Sequence, residues 1–372
     1  MSDASRAWAR RLGALHLSSH DEGLAGTVVS NPTNLRYLVG FAGSTALLVA
    51  ADAGDWLVTD GRYDAAVREA VAAERMAPVQ VERVELRYDL TLAGLIARLG
   101  LRQVGFDAGH VTVATLETWR RATSTAGVDW RATEGVVERL RLVKDEQEIA
   151  VFRRAGPALA DVARHLGLWV RAGRTEREVA KDIDAAIERA GFSGPAFPTI
   201  VASGPNSALP HARPGDRRLA AGDLVVLDFG GVLDGYCVDL TRMAGIRPVG
   251  SNAAAIVTAV QSAHRAALGA VRPGVQGVEV DRAARAALEA LGLGPAFLHG
   301  TGHGLGLEVH EAPRLSRTGT GAADRLDAGT VCTIEPGAYV EGLGGARLED
   351  DVLVTAAGYE VLTEAPRDLL VV

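Results

Sequence analysis

Four carboxylates set into apolar, strand-like runs constrain this chain more than any other feature of it. Asp228 lies in Leu224-Val225-Val226-Leu227-Asp228-Phe229, and Asp239 in Tyr236-Cys237-Val238-Asp239-Leu240. Glu335 ends Val331-Cys332-Thr333-Ile334-Glu335, and Glu349 opens Glu349-Asp350-Asp351-Val352-Leu353. An ionised carboxylate in apolar surroundings must pair with a cation or shift its pKa. Together with His303, the four stand at intervals of 11, 64, 32 and 14 residues. Two bound divalent cations would resolve the conflict for all of them at once. Any one of these acids alone reads more simply as an exposed strand residue or half of a hairpin salt bridge; the five together do not.

Spacing suggests how they meet. Asp228 and Asp239 flank a turn at Leu233-Asp234-Gly235, and Glu335 and Glu349 flank Gly342-Leu343-Gly344-Gly345. Each pair reads as a hairpin offering two carboxylates, and two such hairpins can face one another across a shared metal pair. Oxygen ligands with a single imidazole favour Mn, Co or Fe over a cysteine-rich zinc site. Two metals about 3.5–4 Å apart can activate a water and polarise a carbonyl.

More histidines surround these residues than metal binding needs. Leu298-His299-Gly300-Thr301-Gly302-His303-Gly304 is dense in glycine, which lets a backbone approach a ligand closely. His310 follows seven residues after His303, and His211 stands in Leu209-Pro210-His211-Ala212-Arg213-Pro214. A neutral imidazole beside the metals can donate to an oxyanion or pass a proton to a leaving nitrogen. Taken singly, each of these histidines is more simply a satisfied structural residue.

A chain of 372 residues carries a prior of two domains. A formal charge of -7 argues against nucleic acid or an anionic membrane as main partner. The two cysteines, Cys237 and Cys332, sit singly in apolar runs, so neither a disulfide framework nor a CxxC zinc site is indicated, and a reducing, cytoplasmic setting is expected. Arg6, Arg10, Arg11 and His16 interrupt the apolar residues of the first 17 positions, so no secretory leader and no membrane span is expected.

From about Val28 to Ala132, short apolar runs alternate with helical patterns, which predicts an α/β domain over 1–140. Asp145 with Glu148, and Thr175 with Glu178, are capping-box starts to helices. Further helices are expected over about Ala253–Val271 and Val278–Leu291. Helices interleave with hairpins, so 141–372 reads as α+β with mainly antiparallel strands.

Four strings carry a resemblance. Asp228-Phe229-Gly230 through Asp239-Leu240-Thr241-Arg242, His299 through His310-Glu311, Thr333-Ile334-Glu335-Pro336-Gly337, and Gly345-Ala346-Arg347-Leu348-Glu349-Asp350 resemble the pita-bread metallopeptidases of the M24 type. Asn31-Pro32-Thr33-Asn34-Leu35-Arg36-Tyr37 and Thr59-Asp60-Gly61-Arg62-Tyr63 resemble the creatinase/prolidase N-terminal domain. Within the superfamily the chain looks like the Xaa-Pro peptidases, prolidase first and aminopeptidase P second. A non-catalytic pita-bread binding protein is the distant alternative, because such proteins typically lose ligands and none is lost here.

The resemblance implies a C-terminal pita-bread domain and two divalent ions held by Asp228, Asp239, His303, Glu335 and Glu349, with Mn expected first and Co, Zn or Fe compatible. It makes Glu335 the acid/base group as well as a ligand. It places His211 and His310 on the reaction intermediate, and His299 toward the substrate. Arg347, two residues before Glu349 on the same strand face, is a candidate to orient a carboxylate. Arg314 is a candidate to grip the free carboxylate of a dipeptide, and Tyr236 a weaker substrate-facing candidate. Peptides with proline second are the implied substrates, and a homodimer the implied assembly. Met243 and Val238 depart from the residues usual beside the second aspartate; neither removes a ligand.

Overall fold

The computed structural model describes residues 3–372, which form two compact units, 3–141 and Leu142–Val372. The first is built on a six-stranded mixed sheet. Its strands run in the spatial order Gln80–Val84, Gly54–Asp60, Leu47–Ala51, Gly26–Val29, Gln103–Asp107, Asp129–Thr133. The middle strands Gly26–Val29, Leu47–Ala51 and Gly54–Asp60 pair antiparallel, and the outer pairings are parallel. Helices connect the parallel strands, as the alternation of short apolar runs with helical patterns predicts. The helix Pro32–Val39 shows why the local sequence suffices. Asn31 accepts from the Thr33 amide, Pro32 takes the first turn where no N–H is needed, and Gly40 ends the helix at φ 77°.

The second unit opens with the helix Glu146–Arg164, whose Asp145 cap and reciprocal Glu148 bond form the expected capping box. Thr175 and Glu178 do the same for Glu176–Arg189. After these come the long hairpin Leu224–Leu233 with Tyr236–Gly245, then the helices Ser251–Ala270 and Gly277–Glu289, then a second group of strands. The hairpin belongs to a four-stranded sheet with Ile200–Ser203 and Leu370–Val371. The later strands form a five-stranded sheet in the order Glu311–Leu315, Gly302–Gly304, Val331–Ile334, Asp350–Thr355, Gly358–Val361. This is the α+β pita-bread arrangement, and nearly every strand pair in it is antiparallel. Among the described residues, no helix is long and apolar enough to cross a membrane.

Alternation along the long hairpin sorts its side chains between two cores. Phe229 and Leu240 are cross-strand partners and pack with Phe152, Leu159 and Ile183 of the first helix pair. Val226 and Met243, also partners, lie on the other face with Ile256, Val260 and Leu288 of the second pair. Asp228 and Asp239 fall on this second face, at its far end. There the apolar side chains give way to a cluster of acids.

Candidate active site

Register explains how the hairpin presents its two aspartates. Asp228 lies opposite Thr241, and Asp239 opposite Gly230. Residues two apart on a strand share a face, so Asp228 and Asp239 are diagonal neighbours across the ladder, with Thr241 beside them.

The second hairpin meets the first through the outward-facing amides of its two glutamates. Ile334 pairs with Asp350 on one side and Gly337 with Arg347 on the other, so Glu335 faces Glu349 in an uninterrupted register. Between those pairs Leu348 N–H still donates to the Pro336 carbonyl at 3.4 Å, while Pro336 has no N–H to return. Glu335 and Glu349 form a non-hydrogen-bonded pair of this antiparallel ladder, so their amides point outward to neighbouring strands: Glu335 N–H donates to the Thr301 carbonyl at 2.7 Å and Glu349 N–H to the Thr241 carbonyl at 3.3 Å. These outward bonds bring the glutamates against both the His303 strand and the Asp239 strand. Thr241 Oγ1 also donates to Glu349 Oε2 at 2.6 Å. Close approach here needs glycine: a Cβ on Gly302 would strike the Thr333 carbonyl.

The result is one acidic cluster. Single ligand atoms of Asp239, His303 and Glu349 lie within 4.8 Å of one another, and His303 Nε2 is 3.3 Å from Glu335 Oε1. Asp228 Oδ2 accepts from the Arg347 guanidinium. Burial comes first among the causes that push the Asp239 and Glu349 carboxyls well above their usual range, and repulsion from neighbouring carboxylates adds to it. Burial likewise raises Glu335. Asp228 Oδ1 and Asp239 Oδ1 are buried without a hydrogen-bond partner.

Buried acceptor oxygens without donors are what a cation site requires. His303 agrees with this. Its Nδ1 lies 3.0 Å from the Gly304 carbonyl, which can only accept, so Nδ1 carries the proton and the Nε2 lone pair faces the acids. The donor set therefore fits divalent cations.

Of the two adjacent carboxylates, one is turned away by alternation and the other is engaged by a backbone amide. Asp350 points to the opposite face and is fully buried, accepting from Arg242 and Arg367 at 2.6 Å each. Asp351 Oδ2 instead accepts from the Asp239 amide at 2.9 Å and so braces that strand.

A cavity of about 300 Å³ opens over the cluster. His211 and His310 line it, both are exposed, and neither makes a hydrogen bond among the described residues, so their ring nitrogens are available. His310 packs edge-on against His303 with ring centroids 4.4 Å apart. Burial, then the neighbouring His303, lowers the His310 pKa, which favours the neutral ring. The loop carrying His211 is pinned by the buried Glu176, whose carboxylate accepts from Ser203, Asn206 and the Gly215 amide. The strand after His310 is held by a buried ion pair between Lys144 Nζ and Glu311 Oε1 at 2.8 Å.

Three of the candidates named from sequence stand elsewhere or act otherwise. His299 lines the cavity, but both ring nitrogens are engaged: Nδ1 donates to the Gly300 carbonyl at 2.8 Å, and Nε2 accepts from the Tyr339 hydroxyl at 2.8 Å. Tyr339 in turn accepts from Arg347 Nη1 at 2.8 Å, so His299 ends a bracing chain instead of facing substrate. Tyr236 is three residues from Asp239 and hence on the opposite face. It packs edge-on against Phe152 and donates to Glu148 Oε1 at 3.1 Å, outside the cavity. Tyr236→Phe should therefore cost about 1 kcal/mol of stability and leave kcat/KM within twofold; a loss of turnover without a drop in Tm would return Tyr236 to the reaction. Arg314 sits on the edge strand Glu311–Leu315, exposed, with its amide and guanidinium both toward Asp324 at 2.9 and 3.5 Å, and it does not line the cavity.

Sequence reading missed Thr241, Tyr339 and Arg213. The first two were within reach of strand periodicity, since Thr241 is two residues from Asp239, and Tyr339 shares a face with Gly337 in the hairpin after Glu335. Arg213 stands in an irregular loop, where no periodicity applies.

The family model for metallopeptidase family M24 matches residues 150–356, and that for the creatinase/prolidase N-terminal domain matches residues 11–143. The Xaa-Pro dipeptidase of Pyrococcus furiosus is 32% identical over 92% of this chain and 94% of its own. An Xaa-Pro dipeptidase structure from Bacillus anthracis superposes with a TM-score of 0.93 at 29% identity, covering 98% of this chain and 100% of that one. An X-Pro aminopeptidase structure from Thermotoga maritima does so with a TM-score of 0.85 at 31% identity, over 95% and 100%. A buried acid cluster fit for divalent cations, on a fold shared along its whole length with these peptidases, makes this chain an enzyme of metallopeptidase family M24, with a creatinase/prolidase N-terminal domain.

Proposed function

We propose that the enzyme hydrolyses the peptide bond preceding proline, with Xaa-Pro dipeptides as its main substrates. The observation that carries this reading is the cavity: about 300 Å³, walled by Phe197, Pro198 and Ile200 and floored by the acid cluster. That volume is at the lower end of the roughly 300–1,000 Å³ typical of small-molecule sites. An apolar wall suits a pyrrolidine ring, and the tertiary amide before proline offers no N–H that would need an acceptor. Likeness to the two dipeptidases adds support.

Asp228, Asp239, His303, Glu335 and Glu349 would hold two divalent cations. When bound, these supply Lewis acidity toward a carbonyl oxygen and acidify water. Arg347 fixes the Asp228 carboxylate, and Thr241 fixes Glu349. Glu335, whose burial raises its affinity for a proton, takes up the proton released in the attack and returns it to the leaving nitrogen. His211 and His310, with ring nitrogens unengaged, donate to the carbonyl oxygen as it gains negative charge. Manganese as the working metal, a homodimer and a cytoplasmic setting follow from the resemblance and belong to the same reading.

With added Mn, Xaa-Pro dipeptides should be cleaved with a kcat/KM at least about tenfold above that for Xaa-Pro tripeptides, a margin of about 1.4 kcal/mol. Likeness to the Thermotoga maritima enzyme favours a second reading, an Xaa-Pro aminopeptidase, for which that order reverses. Hydrolysis of neither substrate by the metal-loaded protein would remove both.

A further inference from the structure

We propose that Arg242 is a positioning residue for the cation site: from behind the cavity it clamps the strand that bears Asp239 to the segment that bears Glu349. The inference rests on the reading of the acid cluster as a cation site and concerns what sets its affinity. The two carboxylates belong to different sheets or their edges, since Tyr236–Gly245 lies in the four-stranded sheet and Asp350–Thr355 in the five-stranded one. Among the described residues no ladder joins these strands, and a single backbone bond does, from Glu349 N–H to the Thr241 carbonyl at 3.3 Å. That length is beyond the usual N–H···O range, so the bond is weak. Side chains add the bonds of Thr241 to Glu349 and of Asp351 to the Asp239 amide.

Arg242 supplies what the ladder does not. Three residues from Asp239, its side chain leaves the opposite face of the strand, is buried, and lies outside the cavity. A guanidinium has five N–H donors in a rigid plane, and here all five are used. Nη1 donates to the Thr241 carbonyl at 2.9 Å and to the Glu349 carbonyl at 2.5 Å, so one nitrogen ties the two ligand-bearing backbones together. Nη2 donates to Asp350 Oδ1 at 2.6 Å and to the Ala365 carbonyl at 3.0 Å, and Nε to the Pro366 carbonyl at 2.8 Å. Asp350, next to Glu349 and turned the other way, keeps the guanidinium in its plane, while Arg367 Nε donates to the other oxygen of Asp350 at 2.6 Å. Arg347 thus fixes the acids from the cavity side, and Arg242 fixes the main chain that carries two of them from behind. Groups that orient ligands without touching the metal typically contribute about 10–100-fold to its affinity.

The test measures Mn affinity by calorimetry on chelator-treated protein, in wild type, Arg242→Lys and Arg367→Ala. Arg242→Lys keeps a charge opposite Asp350 but has three donors on one atom and no fork, so it cannot serve both strand carbonyls and the carboxylate at once. Its Kd for Mn should rise about 10–100-fold. Arg367→Ala takes a partner from the same buried carboxylate without touching either strand backbone. It should lower the Tm of the metal-free protein and leave the Mn Kd within about twofold of wild type. A Kd for Arg242→Lys within about twofold of wild type, or a rise as large in Arg367→Ala, overturns the assignment, because charge around Asp350 would then be what matters. Should Arg242→Lys be unfolded without metal, the dependence of its Tm on Mn concentration gives the same Kd. Failure to fold at any Mn concentration would make Arg242 a residue of the fold alone and overturn the clamp. Wild type that binds no Mn would remove the cation reading and the clamp with it, whereas wild-type binding that Arg242→Lys leaves unchanged would remove the clamp alone.

Discussion

Glu335→Gln should lower kcat by about 10²–10⁴-fold, the range expected when a proton-transfer group is lost. The substitution keeps the size of the side chain and one acceptor oxygen next to His303 Nε2, but it removes both the negative charge and the ability to carry a proton. Glu335 is the candidate for proton transfer because burial raises its pKa while its oxygen stays at the cavity floor, 3.3 Å from Thr333 Oγ1 and the same distance from His303. Metal content must be measured beside kcat, since weaker cation binding would also reduce turnover. The metal-free variant should melt no lower than wild type, because a neutral amide relieves part of the repulsion among buried carboxylates. Turnover within tenfold of wild type at full metal occupancy would rule out Glu335 as the proton carrier.

Removing divalent cations should destabilise the protein much more at about pH 8 than at about pH 5.5. The sign follows from the direction of the carboxyl shifts. Asp239, Glu335 and Glu349 are all held above their usual range, by burial first. Above the ordinary carboxylate pKa the metal-free folded protein therefore binds more protons than the unfolded chain, and its stability falls as pH rises toward the raised values. Cations require the ionised ligands, so their contribution grows over the same interval. At a free concentration of about 1,000 times Kd a cation adds about 4 kcal/mol. Thermal melts with chelator and with Mn at both pH values measure the difference. An Mn-induced rise in Tm that is equal at the two pH values, or absent, would mean the cluster does not hold cations.

How far the site could be read from the chain differs residue by residue. Asp228 and Asp239 were legible because strand periodicity and the Asp234-Gly235 turn are local signals, and the same holds for the Glu335 and Glu349 hairpin. Arg347 was legible for the same reason, two residues from Glu349 on one face. For Tyr236 packing was the stronger reading and a substrate contact the weaker, and alternation decides between them: three positions from Asp239, it belongs with Val238 and Leu240 in the other core. His299 could not be judged, because its engagement depends on Tyr339, 40 residues away. Arg314 could not be judged either, because whether it borders the cavity and whether its guanidinium already has a carboxylate depend on how the loops pack.

Sequence by itself determined the chemistry available: which acids lie in apolar strands, that they come in hairpin pairs, and that one imidazole joins them. Charge, hydrophobicity and a period of two are properties of a short stretch of chain, and they survive being read alone. Only the tertiary structure decided how those groups assemble. The Glu335 and Glu349 amides face outward from their own ladder and bond to the carbonyls of Thr301 and Thr241 on distant strands. Those two bonds gather four carboxylates and His303 around one point. Backbone donors are alike in every residue, so their choice of partner is set by the packing of the whole unit and leaves no mark in the residues that make it.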